Sequence, residues 1–268
     1  MRNSLPGKYE GFGEKKYSGW VKESQYVPGF DGTLLAVDIV RPAGEDGKAA
    51  EGKFPTIMLL SRGGRFGEAN TVNGVNIMDH CVPYGYVGVI AEMRGCGASF
   101  GTNDSFSSME NRKDVNTLFD WVAAQPWSDG QVATYGGSNR GLIQFASAVT
   151  RPAPSPALKG ITPVVSNPDF YYQDYPNGVS AIPKRKVKTL SGSGEQSGKK
   201  SKEEFLKKVV PVDGDPDGSM AYEAYEKDQY GKNRNFMEWL LLDNMCGDDG
   251  NPNFDGEKTN LTTPPVSD

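Results

Sequence analysis

The chain has 268 residues, 37% of them hydrophobic, and a net charge of −5, which is enough material for one full core. The acidic balance argues against a nucleic-acid partner, which needs a basic excess, and no run of about 18 apolar residues is present to cross a membrane. Residues 1–19 lack the apolar stretch of a signal peptide, so the chain as written reads as cytoplasmic, although an exported and already processed form would read the same way.

In chain order, the turn Asp31-Gly32 introduces a first strand, Leu34 to Val40 (LLAVDIV), closed by Pro42. Phe54 to Leu60 (FPTIMLL) and Val87 to Ala91 (VGVIA) are continuous apolar runs, the pattern of strands buried on both faces of a parallel sheet. Between them, Asn70 to Cys81 reads as a helix. Ser107 and Glu110 have capping-box spacing. Val115, Leu118, Phe119 and Val122 follow at i, i+3, i+4 and i+7, so a helix is expected there. Gln131 to Tyr135 is the next strand, Leu142 to Val149 the next helix and Leu158 to Val165 a further strand. Strand and helix alternate, which predicts an α/β fold with a mostly parallel, doubly wound sheet and a ligand site at the carboxyl ends of its strands.

Beyond Asn167 the character changes. Aromatic residues cluster in Phe170, Tyr171, Tyr172 and Tyr175, a lysine-rich stretch runs from Lys184 to Lys208, and Ser201 with Glu204 offers a second capping box. Met220 to Leu242 reads as a long helical stretch interrupted near Gly231, and Cys246 to Asp268 as loop. The expected organisation is therefore a core over residues 1–168, a helical insertion over 169–245 and a returning loop over 246–268. Asp213-x-Asp215-x-Asp217-Gly218 matches the start of a calcium loop, but position twelve is Ala224 and Pro216 intrudes, so a solvated acidic turn is expected. The cysteines Cys81, Cys96 and Cys246 are odd in number and have no C-x-x-C spacing, which reads as buried thiols. Nothing assigns a metal or a cofactor.

The stretch Gly136-Gly137-Ser138-Asn139-Arg140-Gly141 lies between a predicted strand and a predicted helix. A serine on such a glycine-flanked turn is how an α/β-hydrolase presents its nucleophile, with the next backbone N–H, that of Asn139, aimed at the developing oxyanion. The spacing is G-x-S-x-x-G rather than the G-x-S-x-G of lipases, and the turn alone is a weak signal.

Three further segments strengthen it. Together with the serine turn, Val27 to Gly44 (with its Asp-Gly turn), Arg94-Gly95-Cys96-Gly97-Ala98-Ser99-Phe100-Gly101, and Trp121 with Gln125 to Val132 resemble the CocE/NonD group of α/β-hydrolases, related to X-Pro dipeptidyl-peptidases and α-amino-acid ester hydrolases. The resemblance runs over about residues 25 to 170 and implies an α/β-hydrolase fold with a helical cap insertion, its core incomplete at the C-terminal end. It further implies Ser138 as nucleophile, the Asn139 backbone as one oxyanion donor, and a small ester or peptide as substrate. The family's second oxyanion donor is a tyrosine. Arg65 aligns with it here, which leaves either Arg65 itself or the backbone around Gly64 for that role. Phe170, Tyr171, Tyr172 and Tyr175 are expected to line an acyl pocket or to pack the cap; Asp213, Asp215 and Asp217 are candidates for receiving a substrate ammonium.

Ser138 needs a base, yet the only histidine, His80, precedes it, whereas the family order is Ser, acid, His. His80 reads as structural. The acid and base are expected from a C-terminal remainder of the same protein or from a complementing chain, with a serine–lysine pair as another solution. The alternative is a catalytically silent relative that keeps only a binding pocket.

Overall fold

The computed structural model describes residues 14–61, 65, 71–72, 75–101, 108–150, 153–169, 201–207 and 209–226. Its strands are β1 (Gly19–Pro28), β2 (Leu34–Ala43), β3 (Phe54–Ser61), β4 (Thr71–Val72), β5 (Val75–Asn76), β6 (Val87–Glu92), β7 (Ser128–Gly137) and β8 (Leu158–Val164). The helices are α1 (Ile77–His80), α2 (Met109–Ala123), α3 (Asn139–Ala148), α4 (Lys202–Leu206) and α5 (Ser219–Glu226). Six strands form one sheet in the order β1-β2-β6-β3-β7-β8. β3 runs parallel to β6 and β7, and β7 parallel to β8, while β2 is antiparallel to both β1 and β6. The sheet is thus mixed and mostly parallel, flanked by helices.

The pleat sorts side chains by alternation. On one face Leu35, Val37 and Ile39 of β2, Met58 and Leu60 of β3, Val89 and Ala91 of β6 and Val132 of β7 pack against Val115, Leu118, Phe119 and Val122 of α2 and Ile143 and Ala146 of α3. Each such large apolar side chain, fully buried, contributes about 1.5–3 kcal/mol, which is why α2 forms on its predicted stripe. The opposite face carries two smaller apolar groups. Val40, Leu59 and Ile90 meet Val82, and Ala36 with Ala98 meets Phe205, Val209, Val212 and Ala221. The stretch around α4 and α5 is therefore seated on the sheet through an apolar contact.

Local signals and structure differ in several places. Pro42 does not close β2 but lies inside it, opposite Trp20 of β1. The stretch Asn70 to Cys81 forms the β4–β5 hairpin and only the short α1, because Thr71, Val72 and Val75 are β-branched and favour extended backbone. The cap of α2 is Ser108, whose hydroxyl accepts from the Asn111 N–H at 3.2 Å, one residue later than expected; adjacent serines offer the same chemistry. β8 ends at Val164, and Val165 leaves it with φ 50°. Asp215 is buried rather than solvated. The capping box of Ser201 and Glu204 is present at the start of α4. The helix expected over Met220 to Leu242 begins as α5, and its remainder lies outside the described residues, as do Cys246 to Asp268.

Candidate active site

β7 is an interior strand of the parallel part of the sheet, so the residue after its carboxyl end stands at the rim where such sheets hold ligands. That residue is Ser138. It is exposed, has φ 54° and ψ −124°, and does not use its side chain to cap α3. Among the described residues only Ser138 and Val165 combine a side chain with positive φ. Such a conformation costs about 1–3 kcal/mol and persists only where the surroundings over-determine it.

The surroundings are specific. The Ser138 N–H donates to the Val164 carbonyl at 2.9 Å, and the Ser138 carbonyl accepts from Gly141 N–H at 2.8 Å and Leu142 N–H at 3.0 Å. Gly136 and Gly141 leave room for this turn. A Cβ on Gly136 would press on the Arg140 Cβ at 2.6 Å, and one on Gly141 would overlap the Ser166 side chain. Beneath the turn, buried Gln144 accepts from Thr134 Oγ1 at 2.9 Å and from Thr162 N–H at 3.0 Å, and donates to the carbonyls of Arg140 at 2.7 Å and Gly136 at 3.2 Å. Gln144 thereby joins β7, β8 and α3. Sequence reasoning missed it, although a glutamine beside Ile143 on an apolar helix face is the available signal.

Arg65 lies inside the protein, with no exposed surface. Its Nε donates to Asp38 Oδ1 at 2.8 Å, its Nη1 to Glu92 Oε2 at 2.5 Å, and its Nη2 to the carbonyls of Val210 at 2.5 Å and Pro211 at 2.9 Å. Burial by itself would lower its pKa, but the Glu92 and Asp38 carboxylates outweigh that and hold the guanidinium above its ordinary value. The cation therefore ties β2, β6 and the 209–213 segment together.

The glycine-rich stretch after β6 has a structural task as well. Arg94 Nε donates to Asp114 at 2.7 Å and its Nη1 to Asp31 at 3.0 Å, which pins the Asp-Gly turn to α2. Ser99 Oγ accepts from the Ala36 N–H and donates to the Glu92 carbonyl, each at 2.8 Å. Gly97 has φ 56° and leaves the space occupied by the Glu92 carboxylate.

The remaining candidates are dispersed. His80 is exposed, its Nδ1 lies 3.1 Å from the Asn76 carbonyl, and it precedes the amino end of β6, the opposite end of the parallel strands from Ser138. The three aspartates do not converge. Asp213 accepts from Ser24 N–H at 2.7 Å, Asp215 from Met220 and Ala221 N–H at 3.1 Å and from Tyr26 Oη at 3.3 Å, and Asp217 from Lys202 Nζ at 3.0 Å. Asp213 and Asp215 fasten this segment to β1, Asp215 also holds the start of α5, and Asp217 binds the start of α4. The backbone around Gly64, and Phe170, Tyr171, Tyr172 and Tyr175, lie outside the described residues. The described residues thus bring Ser138 together with Val164, Val165, Ser166 and Gln144, and separate it from His80.

Known proteins are similar to this chain. The family described as X-Pro dipeptidyl-peptidase (S15 family) matches residues 31–241. A Mycobacterium bovis protein named as a serine esterase is 30% identical over 181 residues, 62% of this chain and 28% of that protein. A cocaine esterase of Rhodococcus sp. (strain MB1 Bresler) is 30% identical over 152 residues, 56% of this chain and 24% of that one. The chain thus spans roughly a quarter of the length of these curated relatives. A crystal structure of a CocE/NonD family hydrolase from Staphylococcus aureus superimposes with a TM-score of 0.50 at 20% identity, covering 72% of this chain and 39% of that one, a likeness of fold. With the match extending over most of its length, the chain belongs to the X-Pro dipeptidyl-peptidase (S15) family.

Proposed function

We propose that this chain carries the nucleophile of a serine hydrolase acting on an ester or amide of a small acyl, aminoacyl or X-Pro group. The observation that carries the reading is Ser138 itself, an exposed hydroxyl held at φ 54° and ψ −124° after the carboxyl end of β7. The names of its relatives, a serine esterase and a cocaine esterase, support ester chemistry. In this reading Ser138 Oγ attacks the carbonyl carbon while its proton passes to a base. The carbonyl oxygen becomes an oxyanion, the leaving alcohol or amine departs with that proton, and water releases the acyl group from Ser138.

The Asn139 N–H, at the first turn of α3 where backbone donors lack helical partners, is one oxyanion donor. The second donor is assigned to backbone N–H groups around Gly64, in the segment after Ser61, because the Arg65 guanidinium is already engaged with Asp38, Glu92, Val210 and Pro211. Residues 169–245 are read as the cap insertion, with Phe170, Tyr171, Tyr172 and Tyr175 at the acyl pocket. Because the sequence has a single histidine and it stands at the other end of the strands, the base and acid come from a further part of the protein or a complementing chain. The same fact favours a second reading, a silent relative that binds the ligand without turnover.

A fluorophosphonate probe tests both readings on this chain and on a form extended at its C-terminus. Labelling of Ser138 in the extended form alone supports the hydrolase with an external base. A folded protein that is unlabelled in both forms, and whose ligand binding survives Ser138→Ala, supports the silent relative.

A further inference from the structure

Ser138 and Val165, the two residues outside glycine with positive φ among those described, are neighbours in space. The Ser138 N–H is bonded to the carbonyl of Val164, and Ser166 Oγ stands 2.9 Å from the Ser138 carbonyl oxygen and 3.1 Å from the Val164 carbonyl oxygen. We propose that Ser166 is a positioning residue of the Ser138 site, its hydroxyl fixing the peptide between Ser138 and Asn139 so that the Asn139 N–H points to where the oxyanion forms. This rests on the reading of Ser138 as nucleophile and adds a residue to it.

The argument starts from peptide geometry. The Ser138 C=O and the Asn139 N–H belong to one planar trans unit and point in opposite directions, so gripping the oxygen aims the hydrogen. That oxygen accepts from Gly141 and Leu142 N–H, as the start of a helix provides, and Ser166 supplies a third donor from beyond β8. A hydroxyl has one proton to give, and the shorter of its two carbonyl contacts is the one to Ser138. Donors on the C=O also polarise the peptide and strengthen its N–H as a donor.

Two features of the chain serve this contact. Val165, a β-branched residue with φ 50°, turns the chain at the end of β8 so that Ser166 reaches back. Gly141 has no side chain, and the Ser166 side chain fills the place where a Cβ would stand. An exposed valine in a left-handed turn has no packing reason to be there, since it is 83% exposed. The turn it makes is what places Ser166.

The test is the rate of fluorophosphonate labelling at Ser138, separated into kinact and KI, in whichever of the two protein forms labels. Ser166→Ala is expected to lower kinact about tenfold or more with KI within about twofold, because an oxyanion donor acts on the transition state and not on probe binding. Ser166→Cys, close in volume and a weak donor, is expected between the two. It also serves as the deciding variant if Ser166→Ala does not fold. A folded Ser166→Ala with wild-type kinact, or one altered only in KI, overturns the proposal while leaving Ser138 as nucleophile. Absence of labelling in both forms of the wild type overturns the nucleophile reading and this inference with it.

Discussion

Arg65 and Asp38 form a buried ion pair at 2.8 Å in which neither side chain has any exposed surface. Asp38 lies between Ala36 and Val40 on one face of β2, so the pair separates the two small apolar groups on that side of the sheet. Glu92 completes the cluster, and the Val210 and Pro211 carbonyls extend it to the segment before α5. The cluster is thus one of the joins between the core and the region beyond residue 200, beside the apolar group of Ala36, Ala98 and Phe205.

Arg65→Met leaves two buried carboxylates without their cation. A loss of about 3–5 kcal/mol is expected, since breaking a buried pair strands uncompensated charge. Urea unfolding measures it, and limited proteolysis should show residues 201–226 cut first. A loss below about 1 kcal/mol would contradict the burial of the cluster.

Ser138→Gly removes the side chain from a backbone conformation that disfavours it. It should raise stability by about 1 kcal/mol in thermal unfolding while abolishing probe labelling, since the strain is larger than the extra chain entropy of glycine. Unchanged or lower stability would mean that the turn is unstrained.

Val165→Asn offers the same comparison with side-chain function left alone, because asparagine tolerates the left-handed region and this position is exposed. An increase of about 1 kcal/mol in stability is expected, with labelling kinetics retained because Ser166 stays in place.

Asp31 is pulled below its ordinary pKa of 3.8 mainly by its hydrogen bond from Arg94. A depressed carboxylate contributes stability that is fully present above the unfolded value and is lost as pH falls through the folded one. Asp31→Asn should therefore lower stability at neutral pH and flatten its decline below about pH 4. With 39% of its side chain exposed, the effect should be about 1 kcal/mol or less. Asp114 acts in the opposite sense, because burial raises its pKa despite the Arg94 beside it. Unfolding curves from pH 2 to pH 7 separate the variant from the wild type.

Much of the frame was legible because its signals are local. The runs LLAVDIV, FPTIMLL and VGVIA became β2, β3 and β6, the i, i+3, i+4, i+7 stripe became α2, and the Ser201–Glu204 box starts α4. The position of Ser138 between β7 and α3 was legible for the same reason. Short-range ambiguity explains the misplacements, as with Ser107 against Ser108.

What the sequence determined by itself was the alternation of apolar periods and the glycines around one serine, since hydrophobic period and backbone freedom are properties of neighbouring residues. Only the tertiary structure decided that Arg65 is held by Asp38 and Glu92, each 27 residues away, that Asp213 and Asp215 fasten to β1 while Asp217 binds Lys202, and that Ser166 reaches Ser138 across 28 residues. The partner of a charge or a hydroxyl is whichever group the sheet brings within 3 Å or so, and spacing along the chain carries no record of that.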